Sequence, residues 1–381
     1  MKIAGSNCVW RSGFAALLAA FSLGTPVIAE NCNVTYRIKT GDTLSSIAEN
    51  TLGSVFAFDS ILQANQERIS NPNLIYVGDE LWLPCPPDAG AGISWTVMPG
   101  PDAVHALQQQ TDMQIIDIRE EGKGLVSGSI RIPYHQFRGP EDNPGAPPSA
   151  ERLAEILSNA GVRLDRPTLV VSEASTIYGT GRAAYVYWIL KSVGVEELAI
   201  LRGGFEAWAA ADLPVAASPT PTQKTDLDIT FDPRWRADEL DVYGIATEQF
   251  AGTLLDARPH NVFRRFSQAG AAVPSTLPGA SNIPALSVTE VLAGKISPVE
   301  GVEAVLAHLK AHSPQLGQER VVSFCTNGEL GALNWFYASE LARIENVQLY
   351  PESAIGWEAV GGNLAVGGDE SRPATHQLAS R

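Results

Sequence analysis

A chain of 381 residues, 45% hydrophobic and 18% charged, can bury more than one core and is expected to split into several domains. Its formal charge of −15 repels phosphate backbones and argues against a nucleic-acid partner. The six histidines show no ligand spacing with Cys, Asp or Glu, so the sequence implies neither a metal site nor a cofactor.

Residues 1–29 read as a secretory signal. Lys2 and Arg11 lead into an apolar stretch from Phe14 to Leu23, and small residues end at Ala29, the expected cleavage point. That stretch falls short of the roughly 20 residues a spanning helix needs, so an uncleaved anchor is the weaker reading, and no stable membrane insertion is expected after cleavage. The expected location is periplasmic or secreted. Export changes how the cysteines are read. Cys8 leaves with the signal, and Cys32 and Cys85 flank one compact segment and are expected to pair, a link that by loop closure contributes about 4 kcal/mol. Cys325 is left without a partner.

Within residues 30–85, VTYRI (Val34 to Ile38) alternates as a strand should. The turn Thr40-Gly41-Asp42 follows, with Asp42 or Thr43 placed to cap a short helix over LSSIAEN. A second helix near Phe56 to Gln66, the loop NPNLIYVGDE and a closing strand LWLP complete a βααβ order. The stretches YRIKTGDTLSSIAEN and NPNLIYVGDELWLP resemble a LysM module. The resemblance implies a shallow groove for N-acetylglucosamine-containing glycans such as peptidoglycan or chitin, with Gly41, Asp42 and Thr43 on one wall and Asn73, Leu74 and Ile75 on the other. The competing reading is that Gly41 and Asp42 serve only the turn.

Two Pro/Gly/Ser-rich linkers, 86–102 and 217–244, bracket the next segment, and a tail at 368–381 lacks apolar periodicity and reads as disordered. Residues 103–216 and 245–367 repeat one another. IIDIRE, SGSIRIPY, LVVSEASTIYGTGRAAYVYWIL and LAILRGGFEAW in the first copy are followed in the same order by LLDARP, LPGASNIPA, VVSFCTNGELGALNWFYASEL and VQLYPESAIGWEAVGGNL in the second. Runs such as LVV and VVSF are apolar without alternation, as strands buried on both faces of a parallel sheet are. Alternation with helical stretches makes each copy α/β, a parallel sheet flanked by helices.

Cys325 falls at the carboxyl end of such a strand, where open α/β sheets place their active groups. If Thr326, Asn327, Gly328, Glu329, Leu330 and Gly331 curl around it, backbone amides converge on the sulfur as an anion-binding loop and favour a thiolate or persulfide anion. These blocks together resemble tandem rhodanese domains. The resemblance implies a sulfurtransferase in which Cys325 takes sulfane sulfur from a small donor such as thiosulfate and passes it to a thiol or another nucleophile. It also implies a first copy without the nucleophile. The ungapped register VVSEAS over VVSFCT sets Ala174 opposite Cys325, and Tyr185 stands where some relatives lend an arginine, with Arg182 left without a role. The loop CTNGELG carries no cation of its own. Glu329 would repel an anionic donor by about 1–4 kcal/mol, unless it points to solvent. Asp256 and Arg258 are expected as a supporting ion pair, with a substrate-facing Arg258 as the weaker alternative. A non-catalytic wall-binding scaffold with degenerate rhodanese copies is the runner-up. A cysteine phosphatase lacks its arginine, since Gly331 stands in that place, and a Cys/His hydrolase would need an orienting partner for His260.

Overall fold

The computed structural model describes residues 34–52, 61–62, 64–65, 68–69, 75–84, 97–174, 176–285 and 319–368. The expected signal, Cys32, Cys85, Asn73, Leu74, most of the second helix of the first module and nearly all of the tail lie outside them. The chain divides into two compact units, Met1–Gly90 and Ala91–Arg381.

In the first unit, β1 (Val34–Arg37) pairs antiparallel with β2 (Glu80–Leu83), Val34 opposite Leu83. Between them, α1 (Leu44–Leu52) sets Leu44, Ile47 and Ala48 against Ile38, Leu81 and Leu83 in a small core. Thr43 is the cap: its Oγ1 accepts the Ser46 N–H at 3.0 Å, and Ser46 Oγ accepts the Thr43 N–H at 2.9 Å, a reciprocal arrangement that closes the helix start. The buried Asn65 ties helix to strand by donating to Ile61 O (2.6 Å) and Trp82 O (2.7 Å) and accepting from Trp82 N (2.8 Å), so its buried amide is satisfied on both sides.

The second unit contains two four-stranded parallel sheets. The first uses β3 (Gln114–Asp117), β4 (Ser129–Arg131), β5 (Thr168–Val171) and β6 (Leu198–Ile200) in the order β4-β3-β5-β6. The second uses β7 (Thr253–Asp256), β8 (Ser281–Asn282), β9 (Val321–Phe324) and β10 (Val347–Leu349) in the order β8-β7-β9-β10. The central strands β5 and β9 are buried at every residue, which explains why neither alternates.

The halves meet helix to helix. α2 (Ile177–Ser192) is buried on nearly all sides because it packs on its own sheet and also against α4 (Glu329–Trp335) of the other half; a helix that is apolar all round is an interior helix. Gly181 makes the approach possible, since a Cβ there would sit 3.1 Å from Glu329 O. Tyr187 then stands edge-on to Phe336, 4.9 Å between centroids. The expected linker 217–244 is overrun by structure. Ile229, Ala237 and Val242 are buried, Ala237 N donates to Leu349 O at 2.9 Å, and α3 (Glu239–Ala246) begins inside the span with an Asp238 capping box. The Pro-rich composition that suggested a tether ends near residue 223; beyond it Thr225 N and Asp232 N donate to Ser158 O and Ser192 O of the first half, while Ala237 and Val242 join the core of the second.

Candidate active site

Strand β9 delivers Cys325 at its carboxyl end, where the residue is 1% exposed and its thiol is free. Three residues on, Gly328 adopts φ +94° and turns the chain into α4. Its N–H donates to Cys325 Sγ at 3.2 Å. A Cβ here would lie 2.7 Å from Pro351 O and 3.0 Å from the Tyr185 ring, so both backbone angle and space demand glycine. The loop sequence predicts several amides converging on the sulfur. Among the described residues, the Gly328 amide is the one recorded within hydrogen-bond reach.

Beneath the loop lies a residue that sequence reasoning missed. Ser353, at the start of α5 (Ser353–Ala359), accepts the Cys325 N–H at 3.0 Å and donates to Tyr350 O at 3.0 Å. It sits at φ +58°, a costly angle for a residue with a side chain. The signal was available in the repeat, because the first half has Gly204 at the matching place, at φ +61°.

Sheet register also corrects the expected superposition of the two loops. Val321 pairs with Val347 and Thr253, as Thr168 pairs with Leu198 and Gln114. Ser172, following β5 directly, therefore occupies the place of Cys325, and Ala174 lies two residues further on. Both strands contain the letters VVS, and matching those letters slid one strand past the other by two residues.

Glu329 does not point to solvent. It is buried, and Arg182 Nε stands 3.8 Å from its Oε1 while Arg182 Nη1 holds Glu173 at 2.8 Å. A second cation, Arg138, donates from Nη2 to Asn327 O at 2.7 Å with its guanidinium 4.7 Å over the Tyr185 ring. Both arginines come from the half that lacks the cysteine, so the charge missing from the loop's own sequence is supplied across the interface. Tyr134, buried beside this group, has its phenol pushed well above the ordinary range by desolvation; Arg138 opposes the shift and Glu329 reinforces it. Thr326 is exposed and Asn327 half-buried, while Leu330 and Gly331 are buried under the loop.

Asp256 and Arg258 form a buried fork at the end of β7, with Nε 2.9 Å from Oδ1 and 3.1 Å from Oδ2. Arg258 Nη2 also donates to Ser275 O at 2.7 Å, and Thr276 Oγ1 donates to Asp256 Oδ2 at 2.6 Å. Burial alone would lower the arginine's pKa, but the hydrogen bonds and charge of Asp256 outweigh it and raise the value, with Cys325 and Glu358 adding to the rise. The same fork recurs in the first half, where Arg119 Nε meets Asp117 Oδ1 at 3.0 Å and Nη2 donates to Gly124 O at 2.7 Å. A feature present with and without the cysteine serves the strand end first.

His260 Nδ1 lies 3.2 Å from Asn282 Oδ1, and among the described residues no histidine is recorded against Cys325. Among those residues also, no group of three His, Cys, Asp or Glu is placed to hold a metal ion, and no helix is long and apolar enough to cross a membrane. In the first unit, Gly41 takes φ +89°. Asp42 Oδ2 accepts from Tyr36 Oη (2.9 Å) and Lys39 N (2.7 Å), so Gly41, Asp42 and Thr43 all build the turn and cap. Ile75 packs half-buried against the small core.

Residues 36–84 match the family model of the LysM domain, and residues 100–211 match that of the rhodanese-like domain. The rhodanese-like match covers the half without Cys325. SseB of Mycobacterium tuberculosis is 29% identical over 243 residues, 62% of this chain and 79% of SseB. The thiosulfate sulfurtransferase of Corynebacterium glutamicum is 23% identical over 282 residues, 71% of this chain and 88% of that protein. Among solved structures, SseA of Escherichia coli, described with the rhodanese fold of 3-mercaptopyruvate sulfotransferases, aligns with a TM-score of 0.56 at 20% identity over 68% of this chain and 98% of its own. Together these relatives and the fold support a sulfurtransferase.

Proposed function

We propose that the protein is an exported tandem-rhodanese sulfurtransferase in which Cys325 is the nucleophile and the LysM module holds the enzyme near peptidoglycan. The Cys325 thiolate attacks the sulfane sulfur of a donor such as thiosulfate. An S–S bond forms to the cysteine, the donor's own S–S bond breaks, and sulfite leaves with the electron pair. A thiolate acceptor then attacks the outer sulfur of the persulfide and returns Cys325 as thiolate. The observation that carries this reading is the Gly328 amide on Cys325 Sγ at 3.2 Å, at the carboxyl end of a parallel strand. A hydrogen bond to the anionic form favours that form, in thiolate and persulfide alike. The repeated strand order supports reading the second half as a second rhodanese-like domain.

The electrostatics of the donor site are balanced rather than acidic. Glu329 and Glu173 are met by Arg182, and Arg138 adds a second positive charge at Asn327. An anionic donor therefore meets less repulsion than the loop sequence alone suggests. Intact-mass spectrometry after incubation with thiosulfate, a mercaptopyruvate-type thiol acid and glutathione persulfide tests the chemistry. One added sulfur is expected on wild type and none on Cys325→Ser. No added sulfur from any donor would return the chain to a wall-binding scaffold with silent rhodanese copies. Sedimentation with insoluble peptidoglycan tests the LysM assignment separately, the full chain being expected in the pellet.

A further inference from the structure

One peptide unit of the loop that carries the cysteine is gripped from the half without one. Asn327 O accepts from Arg138 Nη2 at 2.7 Å. The N–H of the same unit belongs to Gly328 and donates to Cys325 Sγ at 3.2 Å. A trans peptide is planar, with C=O and N–H pointing in opposite directions, and no peptide among the described residues is cis. A group that grips the oxygen therefore sets the direction of the hydrogen. The grip is firmly placed. Arg138 follows directly on a 3₁₀ turn, Tyr134–Phe137, its guanidinium lies 4.7 Å from the Tyr185 ring and 5.4 Å from the Tyr134 ring, and Tyr185 Oη is fixed by donating to Gly145 O at 2.9 Å. The Tyr185 ring also limits space at Gly328 from the other side.

We infer that Arg138 is a positioning residue for Cys325: by holding the Asn327 carbonyl it aims the Gly328 amide at the sulfur and polarises it. A cationic donor on the carbonyl oxygen draws electron density from the amide nitrogen, and hydrogen bonds in such a chain strengthen one another. Arg138 thus acts on the nucleophile through the Asn327–Gly328 peptide. This inference rests on Cys325 as the nucleophile, but its test reads thiol ionisation and needs no donor.

The thiolate of the full chain is titrated by ultraviolet absorbance, as the difference from Cys325→Ser, for wild type, Arg138→Gln and Arg138→Lys. The glutamine variant is expected to move the midpoint of Cys325 upward by about half a unit to one unit, as loss of an aligned, charge-assisted hydrogen bond does. The lysine variant keeps the charge without the planar fork and is expected between glutamine and wild type. Near-ultraviolet circular dichroism checks that the variants are folded. Should the glutamine variant fail to fold, the lysine variant carries the test alone. A folded variant with the wild-type midpoint overturns the inference. If wild type forms no persulfide and the midpoint still shifts, the sulfurtransferase reading fails while the role of Arg138 stands.

Discussion

The loops after Val171 and Phe324 leave the same place in two sheets of the same strand order and then diverge. In the first, Ser172 follows the strand, and the next helix is capped by Thr176, whose Oγ1 accepts the Gly179 N–H at 3.2 Å. In the second, Cys325 follows the strand, and the helix is entered through Gly328, which has no side chain to cap it. One loop uses a side chain to satisfy its helix. The other uses a left-handed glycine and turns a backbone amide onto the sulfur. Beneath them the exchange runs the other way: Gly204 in the first half, Ser353 in the second, both left-handed. The cysteine therefore comes with two local changes that a plain α/β turn does not need.

Breaking the first change should have the largest effect. Gly328→Ala adds a Cβ 2.7 Å from Pro351 O and 3.0 Å from Tyr185 at φ +94°. Left-handed strain of about 1–2 kcal/mol and overpacking of about 1–3 kcal/mol act together, so urea unfolding should report a loss of about 3 kcal/mol. Thr176→Ala removes the first loop's cap and should cost about 1 kcal/mol. If Gly328→Ala proves as mild as that, the contrast between the loops collapses.

Ser353→Gly tests the second change, where two effects oppose. Glycine relieves left-handed strain of about 1 kcal/mol but leaves the buried Cys325 N–H without its acceptor, a loss of about 1–3 kcal/mol. The hydrogen bond should win, giving a net destabilisation of about 1 kcal/mol by urea unfolding and slower persulfide formation by mass spectrometry. A more stable Ser353→Gly would mean that the serine merely tolerates its angle.

Glu329→Gln removes the acid opposite Arg182 and leaves Arg182 with Glu173. Because Arg182 already offsets Glu329 across 3.8 Å, and partly exposed pairs of this kind are worth about 1 kcal/mol or less, thiosulfate kcat/KM should rise about 2- to 5-fold in a sulfite-release assay. A fall would mean that Glu329 positions the loop rather than repelling the donor.

The sequence carried the strands, the repeat and the position of Cys325, because buried parallel strands and strand-end cysteines leave local signatures. It did not carry what crosses between halves. Arg138 lies 189 residues from Asn327 in a stretch with no periodicity to mark it, and Arg182 meets Glu329 only because two helices pack through Gly181. Composition misled near residue 230, where a stretch bonded to the first half at Thr225 and Asp232 and packed into the second from Ala237 follows directly on a Pro-rich one. Ser353 was legible in principle, as a serine standing where the repeat has glycine. Finding it required the register that the shared letters VVS obscured.

The smallest expected effect separates the two halves by pH. Where the first half has Gly203, at φ +75°, the second has Glu352, 2% exposed and paired with Arg236, while its Oε2 lacks a hydrogen-bond partner among the described residues. Burial raises its pKa above the ordinary 4.5, and Arg236 offsets only part of the rise. A carboxyl whose folded pKa lies above its unfolded value binds its proton more tightly in the fold. Its stabilising share is complete below 4.5 and is lost as pH rises through the folded value. Relative to Glu352→Gln, the wild type should therefore lose stability from about pH 4.5 upward, with a slope no steeper than about 1.4 kcal/mol per pH unit, and then level off. Chemical denaturation of both proteins across that range measures the difference. A wild type that gains stability with rising pH relative to the variant would mean that Arg236 outweighs burial at this carboxyl.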